Sequence, residues 1–326
     1  MSCALHYWKG EIMGYPREVI EQVKEAVCKE AAEMRRINKI VPVTGKRLQI
    51  TQPDRQIDVV FYPSEKEHAP LILGFHGGGF LFGGCAMNDA MWSETGAQLG
   101  AAVASVEYRK SPDYQWREAL ADAYDAAVYF QNNAEEYGIN KNDISVMGCS
   151  AGANLAASVC LYANQQKNHL FQRQILMYPF LDSATDPDSK GKGSLEGPIK
   201  YVFNELHRKP EEAKVPLVSP VFAEKKELEG LPKTIICYAD QDNLKAEGQK
   251  YAEMLRNVGV GVDDMVTIGM PHGFYESGFG KISEGEMDFL GDDVKEMIRN
   301  GAEYAYVELV FSVDPEKENA LRDLDV

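Results

Sequence analysis

The chain reads as an α/β fold, a mostly parallel sheet covered by helices on both faces. Three observations predict it. Short apolar runs of strand length alternate with amphipathic stretches of helix length through most of the sequence. One such run, 144–147, feeds into Gly148-Cys149-Ser150-Ala151-Gly152, and a good helix former, Ala153-Asn154-Leu155-Ala156-Ala157, follows at once. Two further runs end directly in turns that carry a histidine, His76-Gly77-Gly78-Gly79-Phe80 and Met270-Pro271-His272-Gly273-Phe274.

Taken in order, residues 16–38 have a helical pattern. Val19, Ile20, Val23, Val27 and Met34 recur at three- and four-residue spacing among Glu and Lys. Strands are expected over 57–62 and 71–75, separated by the polar turn 63–69, and again over 101–108. Residues 116–137 are expected as helix, with Leu120, Tyr124, Ala127 and Phe130 on one side. After the serine pentapeptide and its helix come a strand over 175–178 and then a break in regularity over 181–220. That stretch is rich in turns, apart from a helical patch over 199–206. In a parallel sheet, such an excursion lies over the strand ends, where ligands bind. Strand 234–238, helix 246–258 and strand 262–268 resume the alternation. A helix over 284–311 and a charged tail over 314–326 end the chain.

The formal charge of −16 excludes a nucleic-acid backbone or an anionic membrane as the main partner, because no basic field would attract either. Six cysteines lie far apart with no C-x-x-C pair, which predicts reduced, mostly buried thiols and a cytoplasmic setting. No stretch reaches the ~20 apolar residues of a membrane helix, and residues 1–14 do not read as a signal peptide. Neither H-E-x-x-H, nor a Cys/His cluster with ligand spacing, nor a phosphate loop occurs, so no metal or cofactor is expected.

The three motifs share one chemistry. G-x-S-x-G alone would occur by accident in roughly one chain in ten of this length, so its setting decides. Between a strand and a helix, the turn exposes the central hydroxyl above the sheet over a helix N-terminus. A serine hydroxyl is a poor nucleophile until a base takes its proton, and the oxyanion it generates needs donors. His76-Gly77-Gly78-Gly79, at a strand end, can turn successive N–H groups into one space, and the N–H of Ala151 would complete the pocket. The expected base is His272, just past the last strand. His6 and His68 precede the core, His76 belongs to the glycine loop, and His169 and His207 lie in polar connections. The orienting carboxylate should follow strand 234–238, where Asp240 and Asp242 compete and spacing does not separate them.

Together with Tyr108-Arg109, Ser111-Pro112, Ser219-Pro220, Gly230-Leu231-Pro232 and Asp242-Asn243-Leu244, these motifs resemble the hormone-sensitive-lipase-like branch of the α/β-hydrolase esterases. The likeness runs over 59–275, about two thirds of the chain. It aligns the family's D-P-L with Asp242-Asn243-Leu244, which selects Asp242, and implies a triad of Ser150, Asp242 and His272 with Gly78, Gly79 and Ala151 as oxyanion donors. The family's aspartate before the serine is replaced here by Cys149, and its proline after the acid by Asn243. The resemblance implies one α/β-hydrolase domain over 1–326, with cap elements at 1–45 and 181–220 and a C-terminal segment, 281–326. It also implies a serine carboxylesterase for short acyl, acetyl-type esters, acting on a small-molecule substrate without cofactor. An amide or formamide hydrolase on the same triad, and a non-catalytic small-ligand receptor on this fold, are the alternative readings. The C-terminal segment is a candidate for homodimerisation.

Overall fold

Eight strands form one sheet in the order β8-β7-β6-β5-β3-β4-β2-β1. They are β1 (Lys46–Thr51), β2 (Gln56–Tyr62), β3 (Ala69–Phe75), β4 (Ala102–Val106), β5 (Ile139–Cys149), β6 (Arg173–Met177), β7 (Lys233–Ala239) and β8 (Val262–Thr267). β2 runs antiparallel to both β1 and β4, and every other pairing is parallel. The computed structural model describes residues 11–12, 15–193 and 197–276. The helix expected over 284–311, the charged tail and any dimerisation through them lie outside the described residues.

The central strands are buried because they are apolar on both pleat faces. Leu71, Ile72, Leu73 and Phe75 of β3, and Ile144, Val146 and Met147 of β5, have no exposed surface. Fully burying each such side chain stabilises the fold by about 1.5–3 kcal/mol. At one edge, β8 carries Asp263 and Asp264, charges that discourage pairing with a foreign strand.

The helices are α1 (Arg17–Ile40), α2 (Asp89–Leu99), α3 (Trp116–Asn132), α4 (Ala151–Gln165), α5 (Ile199–His207), α6 (Lys225–Leu228) and α7 (Lys245–Arg256). Sequence reasoning missed β1, α2 and the single-turn α6. β1 offers only Leu48 and Ile50 as apolar residues in an otherwise polar edge strand. α2 contains Thr95 and Gly96 and shows no clear apolar stripe; it is held instead by Trp92, which fills the space left by Gly74 of β3. Gly100 stops α2 in the left-handed region, at φ 61°.

α1 packs chiefly on α5. Its apolar face, Ile20, Val27 and Ala31, packs with Tyr201, Val202 and Leu206 of α5 and with Leu81 beside the glycine loop. Arg17 and Lys24 reach Glu205 of α5 at 3.0 and 2.9 Å, surface pairs worth about 0–1 kcal/mol. The helix preceding the sheet and the helix of the excursion therefore form one small layer of their own.

Candidate active site

Ser150 stands between β5 and α4 with φ 53° and ψ −114°, a conformation strained for a side-chain-bearing residue by about 1–3 kcal/mol. The flanking glycines make it possible. A Cβ on Gly148 would sit inside contact distance of the Gly152 carbonyl, and one on Gly152 would strike the backbone carbonyls of Phe75 and His76. The turn is also pinned. Ser150 N–H donates to Met177 O at 2.9 Å, and its own carbonyl accepts from Phe180 N–H and Asn154 N–H. The Asn154 side chain, buried in α4, donates to the carbonyls of Phe180 and Val218 at 2.9 Å, tying both ends of the excursion to the elbow helix.

His272 lies in the turn after β8. Its Nε2 is 2.8 Å from Ser150 Oγ, and its Nδ1 is 2.7 Å from Asp242 Oδ2. With Nδ1–H donating to the carboxylate, Nε2 is left as the acceptor for the serine hydroxyl. The turn is anchored at three successive residues. Phe274 packs on Tyr178, Tyr275 Oη lies 2.8 Å from Thr95 Oγ1 in α2, and Glu276 Oε1 accepts the Gly77 N–H at 2.7 Å. Tyr178 also meets the His272 ring edge-on, with centroids 5.1 Å apart.

The two competing carboxylates part company. Asp242 faces His272 with its side chain 1% exposed. Asp240 turns outward, and its hydrogen bond with Lys245 holds its carboxyl below the usual carboxylate range.

In the glycine loop, Gly78 and Gly79 take φ 111° and 61°, the left-handed region that favours glycine. Among the described residues neither N–H has a protein acceptor, whereas Gly77 N–H is already engaged by Glu276. A Cβ on Gly79 would strike the Phe203 ring of α5. Ala151 lies at the N-terminus of α4, and with Gly78, Gly79, Ser150 and His272 it lines a cavity of about 240 Å³. The cavity walls are apolar and include Phe80, Phe180, Phe203 and Leu244. Lys190 and Lys200 reach it too, but Lys190 is paired with Glu247 and Lys200 with Asp188.

Two other histidines serve packing. His76 is buried and stacks on Tyr108 at 4.4 Å; burial and then Lys110 push its pKa down to about 3, so it stays neutral. His207 does not lie in a polar connection, as the sequence reading placed it. It ends α5, buried and stacked on Phe80 at 3.5 Å, because the apolar face of α5 turns it inward. Cys149 is fully buried beneath the serine turn. The five cysteines among the described residues are all free thiols. Among the described residues no cluster of three or more His, Cys, Asp or Glu side chains is placed to hold a metal, and no helix is long and apolar enough to cross a membrane.

Sequence reasoning missed Glu276 and Phe203, and it placed Asn154 in the elbow helix without its hydrogen bonds to the excursion. Glu276 carried no signal beyond its place four residues after His272. Phe203 stood in a stretch whose path over the strand ends only the fold reveals.

The class follows from a serine elbow at the end of a central parallel strand, with a histidine–carboxylate pair from the next strand ends. Residues 72–276 match the family described as the alpha/beta hydrolase fold. The chain belongs to that family, in its hormone-sensitive-lipase-like branch, and falls in the class of carboxylic ester hydrolases. An alpha/beta hydrolase of Acanthamoeba polyphaga mimivirus is 27% identical over 64% of this chain, and the matched region spans 62% of that protein's length. An arylesterase of Saccharolobus solfataricus is 28% identical over 83% of this chain and 89% of its own. Among solved structures, a hyperthermophilic esterase from the archaeon Pyrobaculum calidifontis superposes with a TM-score of 0.73 at 28% identity. That match covers 86% of this chain and 91% of the other.

Proposed function

We propose that this chain is a serine carboxylesterase that hydrolyses short-chain, acetyl-type esters through an acyl-enzyme. The observation that carries the reading is the unbroken run of hydrogen bonds from Asp242 through His272 to Ser150 Oγ at the floor of an apolar cavity. Ser150 Oγ attacks the ester carbonyl as His272 Nε2 takes its proton, and Asp242 holds and stabilises the imidazolium. The N–H groups of Gly78, Gly79 and Ala151 donate to the oxyanion. Collapse of the tetrahedral intermediate sends the proton from His272 to the leaving alcohol and leaves Ser150 acylated. Water, deprotonated by His272, then releases the acid.

The small, apolar cavity supports an uncharged acyl group of few carbons. The layer of α1 and α5, within the segments 1–45 and 181–220, supports a cap over the site, since Phe203 reaches from it to Gly79. Free thiols support a reducing, cytoplasmic setting for the same enzyme.

The test is a p-nitrophenyl ester series from two to twelve acyl carbons, with a phosphonate ester to label the nucleophile. The expected result is a maximum of kcat/KM at two to four carbons and a single label on Ser150. Label elsewhere, or faster turnover of the matching anilide than of the ester, would overturn the reading.

A further inference from the structure

The family pattern places an aspartate immediately before the nucleophilic serine, and this chain has Cys149 there instead. An acidic group nevertheless reaches the same neighbourhood, from the other side. Glu276, four residues after His272 and in the same turn, lines the cavity with Ser150 and His272. Its backbone N–H donates to Gly273 O at 3.1 Å, so the side chain leaves the turn in a fixed direction. Its Oε1 accepts the Gly77 N–H at 2.7 Å and the Asn88 Nδ2–H at 2.9 Å. The other oxygen, Oε2, lies within contact distance of where a Cβ on Gly77 would stand, so the glycine leaves room for the carboxylate. Burial pushes the carboxyl up to about 7, against the opposing pull of the Gly77 N–H and of His272, and its charge also bears on Cys149 and Tyr178.

Gly77 is the residue before the two expected oxyanion donors. Anchoring its N–H restricts how the next two peptides can turn, and the acceptor that anchors it rides on the turn bearing the base. We propose that Glu276 is a positioning residue that clamps the glycine loop to the histidine turn, so that Gly78 N–H, Gly79 N–H and His272 Nε2 are presented to one carbonyl in register. The proposal rests on the esterase reading. Glu276 thereby brings an acidic group to the site from the histidine turn, in a chain whose residue before the serine is Cys149.

An anchor of this kind acts on the transition state and leaves ground-state binding alone, because donors must lie within a few tenths of an ångström of the developing oxyanion. The experiment measures kcat and KM for p-nitrophenyl acetate in the full chain, with active sites counted by phosphonate titration. The variants are Glu276→Ala, Glu276→Gln and Asn88→Ala, which removes the carboxylate's second anchor without touching a reacting group. Glu276→Ala should lower kcat per titrated site by roughly 10- to 100-fold with KM within about twofold, by analogy with loss of an oxyanion donor. Glu276→Gln, which keeps an acceptor for Gly77, should recover most of that loss, and Asn88→Ala should lower kcat by a few-fold, again without moving KM. A kcat per titrated site within twofold of the wild type in Glu276→Ala would overturn the clamp. So would equal losses in the alanine and glutamine variants, or a loss confined to KM or to the number of titratable sites. A wild-type chain that neither titrates nor turns over the ester would instead sink the esterase reading, and the clamp with it.

Discussion

Asp242 and His272 meet through Oδ2 and Nδ1 at 2.7 Å, although 30 residues separate them, while Asp240, two residues before Asp242, faces Lys245. The turn after β7 produces the difference. Asp242 N–H donates to Ala239 O at 3.3 Å, and Asp242 Oδ1 accepts from Leu244 N–H at 3.0 Å, which directs the second oxygen at the imidazole. Asp240 is still in line with the sheet, its N–H on Thr267 O at 3.1 Å, and its side chain passes outward. Replacing Asp242 with Asn therefore removes the group that selects the His272 tautomer and should cost ~10⁴-fold in kcat. Asp240→Asn should stay within about threefold. Steady-state rates on p-nitrophenyl acetate decide, and a larger loss in Asp240→Asn would reverse the assignment.

Ser150 and His272 act as one unit if the 2.8 Å contact between them carries the proton. Ser150→Ala should reduce kcat by roughly 10⁴-fold or more. His272→Ala should fall to a similar floor, and the double variant should fall no further, because either change alone abolishes the nucleophile. Additive losses in the double variant would mean that two independent routes operate.

The elbow imposes a second, purely steric demand. At Gly152 an added methyl meets carbonyls of the sheet, Phe75 O and His76 O, which belong to backbone and cannot swing aside. Gly152→Ala should lower the unfolding free energy by about 1–3 kcal/mol, the usual cost of overpacking, with an unchanged urea m-value. An unaltered denaturation midpoint would show that the turn has more room than the structure describes.

Much of this was legible from the chain alone, for a physical reason. β3, β5 and β7 announce themselves because strands buried on both faces must be apolar throughout, and the motif residues sit at their ends, where chemistry needs glycine, serine and histidine in fixed company. The edge strand β1 was not legible, because a strand with one neighbour and a wet face keeps few apolar residues. Nor was α2, which owes its place to Trp92 filling the gap over Gly74. His207 was misread for the converse reason: its sequence neighbours are polar, but its burial is decided by Phe80, 127 positions away. Spacing could not choose between Asp240 and Asp242, since a turn can aim either side chain at the histidine; only the hydrogen bonds of that turn separate them.

Phe203 stands over Gly79 and forms one wall of the cavity, so it should limit acyl length. Phe203→Ala opens that wall, and each methylene newly taken out of water is worth about 0.8 kcal/mol, or roughly fourfold in kcat/KM. The ratio of kcat/KM for hexanoyl over acetyl p-nitrophenyl ester should rise by about tenfold or more. A ratio that does not move would show that the acyl chain runs elsewhere, past Leu244 or Phe180.

Glu276 also leaves a signature in the dependence of stability on pH. Burial raises its folded-state pKa from the ordinary carboxyl value of 4.5 to about 7. Between those two values the folded chain holds a proton that the unfolded chain has released. Stability must therefore fall as pH rises through that window, and it levels off above it. A shift of that size corresponds to at most about 3 kcal/mol, reduced by the partial exposure of the side chain. Glu247, also raised to about 7 by burial, slopes the same way, so the wild-type curve alone cannot apportion the effect. The difference between wild type and Glu276→Gln can, because the other groups cancel. From pH 4.5 to pH 7, urea midpoints of the wild type should fall relative to those of Glu276→Gln, and above pH 8 the two curves should run parallel. A difference that is flat across the window would mean that the carboxylate is solvated in the folded chain and ionises as it does in the unfolded one.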